Sequence, residues 1–430
     1  MLLTQIKNYF KNQVHTGEWP VLIWSYLYFV FLLTGYFILR PIREEMGVTA
    51  GTENYGWLFL TTFVVMLLLQ PFYGKVVSNY ARKQFIPIVY GFFGLMIFLI
   101  WAGFHVIGKD SVALARVFFV FVSVYNLFIV SIFWSFMADI YSKEQGTRLF
   151  GVIAAGGSTG GIIGGLITSQ LVFLVGTINL LLISLFFLLV CIYAVLRIRR
   201  YAGESEVNPK APLGGSPMQG FKLMLNSRLL QQIALMTVFS VIIGSIFYYL
   251  QGEFVKQYFP GRDERTHVFA NINIATNVLT LFFQLILTPF LLQKFKINQI
   301  LAIFPLLMVL ALTFFSLMPE LMIVLSAIVL QRSGAYGIMK PPTDWLFTGL
   351  NDAIKYKFKN FLDTVVYRGG DVFAQLVVVR TLVIFSKDLR VLSVVGVILA
   401  CVWVWNAITV GRLAIKNFNE SHVQDYPVSA

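Results

Sequence analysis

Tyr36-Phe-Ile-Leu-Arg-Pro-Ile-Arg-Glu-Glu-Met-Gly-Val-Thr-Ala50 closes the first long apolar run of the chain, which extends from Val21 to Leu39. The run predicts a helix from near Trp19 to about Gly47, roughly 28 residues and 42 Å long. A bilayer core is about 30 Å thick, so such a helix crosses it. Arg40, Arg43, Glu44 and Glu45 then fall near the outer half of the membrane. Charges there are costly, usually turn toward a protein interior or a wet cavity, and mark solute pathways. A helix end snorkelling to the interface is the competing reading. Four charges of mixed sign around Pro41 favour the pathway.

Composition agrees. Hydrophobic residues make up 58% of the 430 and charged residues 12%, where a soluble domain is about a quarter charged. This is an integral membrane protein. Cys191 and Cys401 both lie in apolar runs, which argues against disulfides and a cysteine-metal site. His15, His105, His267 and His422 have no paired ligand spacing, so no metal or other cofactor is expected. The net charge of +13 does not imply nucleic acid, because the basic residues cluster in short loops between spans. The polar start, Met1 to Glu18, reads as a cytoplasmic tail with a short amphipathic helix through Ile6, Tyr9 and Phe10.

Apolar runs long enough to span recur about twelve times, at 21–46, 55–73, 84–108, 113–140, 149–175, 178–197, 229–256, 268–292, 298–317, 321–349, 360–386 and 390–413. The stretch from Tyr201 to Asn226 holds Pro209, Pro212, Gly214, Gly215 and Pro217 and is the one long polar interruption. It divides the chain into residues 1–200, a flexible link at 201–227, and residues 228–430. The expected fold is all-α, twelve transmembrane helices in two six-helix bundles, the layout of a major facilitator-type transporter. Loop charge sets the orientation. Lys75, Arg82 and Lys83, then Lys143 and Arg148, Lys294 and Lys296, and Lys355, Lys357 and Lys359 fall on one side with Lys7, Lys11, Arg412 and Lys416. The other side carries little beyond Lys109, Arg262, Arg265, Lys387 and Arg390. Both termini are therefore expected in the cytoplasm.

Gly74-Lys-Val-Val-Ser-Asn-Tyr-Ala-Arg-Lys83 is similar to the major facilitator loop motif, with Ser78 where an acid is usual and Ala81 where a glycine is usual. Ala154-Ala-Gly-Gly-Ser-Thr-Gly-Gly-Ile-Ile-Gly-Gly165 lacks the lysine of a phosphate loop. Its glycines form two interleaved series, 156/160/164 and 157/161/165, which predict close helix packing. The halves echo one another. Trp134 and Trp345 are each followed fourteen residues later by a basic residue and then by a glycine pair. Tyr36 to Glu45 has a counterpart in Tyr248 to Lys256. Duplicated halves put the substrate site near mid-membrane.

The residues a solute would meet are Arg40, Arg43, Glu44, Glu45, Asp139, Gln251, Glu253, Lys256, Arg332, Lys340, Asp344, Asp363, Arg368 and Asp371. Glu44, Asp139, Glu253, Asp363 and Asp371 are candidates for proton coupling. Arg43 and Arg368, from opposite halves, are expected to face one central cavity. They would repel unless an anion lay between them or local acids such as Glu44 and Asp371 neutralised them. An anion clamp fits the two-pronged geometry of arginine.

Four blocks resemble the ATP/ADP translocases of plastids and intracellular bacteria, a family of nucleotide exchangers. They are Leu39-Arg40 with Arg43-Glu44 and Val48-Thr49-Ala50, then Phe133-Trp-Ser-Phe-Met-Ala-Asp139. Tyr336-Gly-Ile-Met-Lys-Pro-Pro-Thr-Asp344 and Lys359-Asn-Phe-Leu-Asp-Thr-Val-Val-Tyr-Arg-Gly-Gly370 complete the set. The resemblance implies binding roles for Arg43, Asp139 and Arg368. Lys340 stands where that family has Asp, and Thr343 where it has Lys. The implied protein is a monomeric carrier in a bacterial inner membrane, taking an anionic solute such as a nucleotide or phosphorylated metabolite by exchange or with protons. The alternative is a proton-coupled carrier for an unrelated solute, such as a siderophore or peptide-like compound. No nucleophile-base pair suggests an enzyme.

Overall fold

A computed structural model describes residues 14–15, 17–79, 82–202, 217–347, 352–386 and 388–424. The side chains of 71–79, 82–85, 143, 202, 217–218, 352–356 and 418–424 are excepted. The amphipathic start through Ile6, Tyr9 and Phe10, the side chains of most of the Gly74–Lys83 loop and much of the 201–227 link lie outside the described residues. The described chain is helical, with twelve helices long and apolar enough to cross a membrane. They are α1 Trp19–Thr49, α2 Thr52–Gln70, α3 Ile86–Val106, α4 Val112–Ile140, α5 Glu144–Val175, α6 Leu180–Tyr201, α7 Arg228–Tyr258, α8 Arg262–Lys294, α9 Ile297–Leu317, α10 Leu321–Leu346, α11 Lys357–Ser386 and α12 Leu389–Asn417. α1 begins with Pro20 in its first turn, where the missing N–H costs nothing. Two residues past its end stands Gly51, whose φ of 93° disfavours any other residue.

The structure departs from the sequence reading most at the start of α8 and in the link. α8 starts six residues early, because Arg262 and Arg265 pair with Glu45 of α1 and Asp263 accepts from Thr177, instead of being left to a loop. The last part of the link is a helix, Pro217–Leu225, in which Phe221 packs on Phe361 with rings 5.9 Å apart.

The chain forms two compact units. The first comprises residues 1–50, 64–211 and 259–277, and the second residues 51–63, 212–258 and 278–430. Each thus contains the opening turns of one helix from the other half of the sequence.

The first unit is built on α1 and the glycine face of α5. A Cβ on Gly156 would stand 2.8 Å from the Tyr26 carbonyl oxygen, and one on Gly164 2.5 Å from that of Thr34; on Gly160 it would overlap the Val30 carbonyl. Tyr26, Val30 and Thr34 share the four-residue spacing of the glycines, so two backbones run in register with nothing between them. The second glycine series meets Phe29 of α1 and then Asn277 and Ile274 of α8.

In the second unit the helices are less regular. α8, α10 and α11 contain π-helical turns at Phe283–Leu287, Ala335–Met339, Leu362–Val366 and Ala374–Val379. Two have a covalent cause. Pro289 and the Pro341-Pro342 pair cannot donate and crowd the carbonyl four residues back, and a widened turn just before each relieves this. In α10 the widening frees the carbonyls of Tyr336 and Gly337. Gln284 Nε2 donates to the first at 3.2 Å and Thr288 Oγ1 to the second at 2.6 Å, both from α8.

Candidate functional site

From Thr34 to Val48 every residue of α1 is buried except Arg40 and Arg43. A helix walled in on all sides opens only at two guanidiniums, three residues apart and so on one face. Arg43 donates from Nη2 to Glu44 Oε1 at 2.9 Å and from Nη1 to Ser123 Oγ at 3.1 Å, with Cζ 4.9 Å from the Phe119 ring. Glu44 is 3% exposed. Arg40 lies over the ring of Phe37 on its own helix, 5.4 Å from the centroid. Among the described residues it forms no ion pair with a carboxylate.

One turn further, Glu45 is fully buried and accepts at a single oxygen from Thr49 Oγ1 at 2.7 Å, Arg265 Nη2 at 2.8 Å and Arg262 Nε at 3.4 Å. Arg262 also meets Asp110 at 3.1 Å. The first turn of α8 is thereby tied to the end of α1. Asp263 completes the tie by accepting from the backbone N–H and hydroxyl of Thr177 at 2.8 and 2.6 Å. Glu45, expected on the solute path, is an anchor in this structure.

Asp139 is not beside Arg43. It lies sixteen residues along α4 from Ser123, about 24 Å of helix, and is followed by Tyr141, whose hydroxyl donates to Ser25 Oγ near the start of α1 at 3.0 Å. Burial pushes the Tyr141 phenol up to about 12, so it remains a donor at neutral pH. At this same end Glu18 accepts from Arg148 at 3.0 and 3.2 Å and from Gln145 at 2.9 Å. The hydrogen bond from Arg148 holds the Glu18 carboxyl down at about 2.

In the second unit the candidates sit at three levels. Gln251 accepts from Arg332 Nη2 at 3.1 Å, Glu253 accepts from Thr52 Oγ1, and Lys256 stands 3.9 Å from Glu53. Arg368 lies between the two π-helical turns of α11, 3.8 Å from Asp371, with its side chain 38% exposed. The glycines after it are unequal: a Cβ on Gly370 would touch Val241 at 3.4 Å, and one on Gly369 would meet nothing. Lys340 and Lys359 share Asp344, at 4.0 and 2.8 Å, and Asp363 is exposed on the next turn of α11. From Val241 to Val255 α7 is buried except at Gly244, Tyr248 and Glu253, so its openings carry no cation.

The sequence profile of the Major Facilitator Superfamily matches residues 6–350. The chain belongs to the major facilitator superfamily. A comparison with curated proteins returns no match. Major facilitator folds among solved structures are similar at low identity. A bacterial homologue of the human lysosomal transporter Spinster, inward-facing and unoccupied, matches with a TM-score of 0.63 and 14% identity over 94% of this chain and 99% of its own. The peptide transporter-family protein PepTSo gives 0.64 and 14% over 94% and 99%, and the nucleoside transporter NupG 0.58 and 11% over 94% and 100%. At these identities the likeness shows the fold alone. This major facilitator protein is a transporter, not an enzyme.

Sequence reasoning missed Arg262 and Arg265, which it assigned to a loop, and Ser123, which carries no signal of its own. It weighs His267 only as a metal ligand and does not single out Asn271, four residues on.

Proposed function

We propose that this protein is a secondary active transporter of an anionic solute, with a nucleotide or other phosphorylated metabolite as the leading class. Transport proceeds by alternating access, with exchange or proton coupling, in a bacterial inner membrane with both termini cytoplasmic. The observation that carries the reading is Arg40, half-buried inside a span over an aromatic ring and, among the described residues, in no ion pair, the nearby Glu44 being taken by Arg43. A guanidinium in that setting is stable only with a counter-charge. A solute phosphate or carboxylate supplies one and suits the planar fork of arginine. Arg43 and Arg368 each have a neighbouring acid, tight in the first case and loose in the second. They would add contacts by turning from that acid to the ligand. The resemblance at Leu39-Arg40, Arg43-Glu44 and Arg368-Gly369-Gly370 supports a nucleotide.

Uptake of labelled ADP and of inorganic phosphate by proteoliposomes tests this, with a neutral dipeptide as comparison. The expected result is saturable uptake of an anion that needs either internal counter-substrate or a pH gradient. Dipeptide uptake without anion uptake would replace the reading with a peptide-like carrier.

A further inference from the structure

The ring of His267, in the second turn of α8, is held at both nitrogens. Nδ1 lies 2.9 Å from the backbone carbonyl oxygen of Ser169 on α5 and 3.2 Å from Ser169 Oγ. Nε2 lies 2.9 Å from Asn271 Nδ2, one turn along α8. Ser169 Oγ closes the circuit by donating to Asn271 Oδ1 at 2.8 Å. A carbonyl can only accept, so Nδ1 carries hydrogen, and Nε2, facing an amide NH₂, is the bare nitrogen. With the amide in this orientation the four groups suit the Nδ1–H imidazole.

The partner at Nε2 is a group with two faces. Turning the Asn271 amide over brings Oδ1 to Nε2 and Nδ2 to Ser169 Oγ, and a carboxamide makes that exchange with little movement of heavy atoms. Nε2 can then hold a proton and donate it, while the serine hydroxyl changes from donor to acceptor. The same four groups therefore accommodate imidazole and imidazolium, and α5 stays joined to α8 in both.

We propose that His267 is a proton-binding site of this transporter, and that the proton it takes is the coupling ion. The inference rests on the proton-coupled form of the reading above. The surrounding charges leave the site to itself. Asp263, one turn earlier, is occupied by Thr177, and Glu264 accepts from the Gly261 N–H at 3.1 Å. Arg262 and Arg265 are committed to Glu45, the acid that α1 presents at this end. α5 has no ionisable side chain between Arg148 and its end. Phe173 of α5 packs its ring 5.1 Å from the imidazole, a neighbour that a cation does not repel. Loading the site adds a positive charge inside a span with no carboxylate bonded to it. An anionic solute moving with the proton offsets that charge.

The site itself is tested without a solute. In full-length protein with ¹⁵N-labelled histidine, solid-state NMR should show His267, assigned by its absence in H267Q, as the Nδ1–H tautomer at pH 8. Acidification should convert it to imidazolium. Asn271→Leu removes the acceptor for the second proton and should demand about tenfold more acid for the same loading, the effect of losing one hydrogen bond to a charged group. An Nε2–H tautomer, no conversion, or identical loading in Asn271→Leu overturns the site. Coupling is read in proteoliposomes with ADP as the probe and a pH dye inside. Proton entry with ADP that is lost in H267Q supports it, and ADP uptake without proton entry overturns it. Absence of ADP and phosphate uptake counts against the anion reading instead, and the NMR titration still decides the site.

Discussion

Glu45 in the first unit is fully buried and gathers Thr49, Arg262 and Arg265 at one oxygen. Asp344 in the second unit also gathers two cations, Lys340 and Lys359, but its side chain is 41% exposed and theirs are 54% and 39%. The backbones differ in the same sense. Among the described residues all four π-helical turns belong to the second unit, and the first joins α1 to α5 by straight glycine-on-carbonyl contact. Around Glu45 the first unit is buried and matched; in the second, Asp344 and its lysines stay partly exposed, and the carbonyls released by the widened turn of α10 are taken up by side chains of α8. Buried charge is costly to disturb and exposed charge is cheap, so equivalent substitutions should have unequal effects.

The largest expected contrast is between glycines. Gly160→Leu drives a side chain into the Val30 carbonyl, whereas Gly369 faces open space. Ordinary overpacking costs about 1–3 kcal/mol, and here the obstacle is backbone that cannot swing aside. Gly160→Leu should yield no monodisperse protein on size-exclusion chromatography, and Gly369→Ala should elute as wild type. Equal behaviour of the two would mean the first unit is not the tighter one.

Next come the acids. Glu45→Ala leaves Arg265 without its carboxylate and Arg262 with only the exposed Asp110, and should cost about 3–5 kcal/mol, the penalty for breaking a buried ion pair. Asp344→Ala should cost about 1 kcal/mol or less. Thermal melting in detergent separates these predictions. Replacing Arg262 and Arg265 as well should restore part of what Glu45→Ala loses.

Why one layer of this was legible in the sequence and another was not has a physical basis. Spans follow from local apolar length, so all twelve appear, and the glycine series of α5 is a local pattern whose partner is simply another helix. Arg262 to Arg265 defeated the same logic. Four charges in a row read as loop, and their placement in a helix depends on Glu45, more than two hundred residues away. Arg40 and Arg43 look alike in sequence, yet only Arg43 reaches Glu44 and Ser123. Asp139 was grouped with Arg43 by resemblance to a family, and contacts put it at the other end of α1.

Arginines give the third comparison. Arg40→Gln and Arg368→Gln should each weaken anion binding by on the order of 1.5–3 kcal/mol, roughly ten- to hundredfold, the range for a hydrogen bond to a charged group. Lysine at either position should recover only part, since an ammonium lacks the two-pronged contact. Arg40 should prove the stronger of the two, because Asp371 already attracts Arg368. A ligand-stabilisation series with ADP and phosphate measures this. Unchanged affinity in folded Arg40→Gln would remove the main support for an anionic solute.

The smallest effect concerns the tie at the start of α1, where Glu18 meets Arg148 at 3.0 Å and Gln145 at 2.9 Å. Its carboxyl is held at about 2 in the folded protein against an ordinary 4.5. A depressed folded value means the charged form is favoured by folding. The contribution is therefore complete above about pH 4.5 and disappears as the pH falls toward 2. Across the neutral range Glu18→Gln should lower the melting temperature slightly and by the same amount at pH 8, 7 and 6. Below pH 4.5 the wild-type curve should fall toward that of the variant, and near pH 2 the two should coincide. High salt should shrink the difference, since the pair lies at the edge of the unit. A gap that instead widens between pH 6 and 4 would mean that Glu18 is protonated in the folded state, and that the unit's matched charges do not extend to this end of α1.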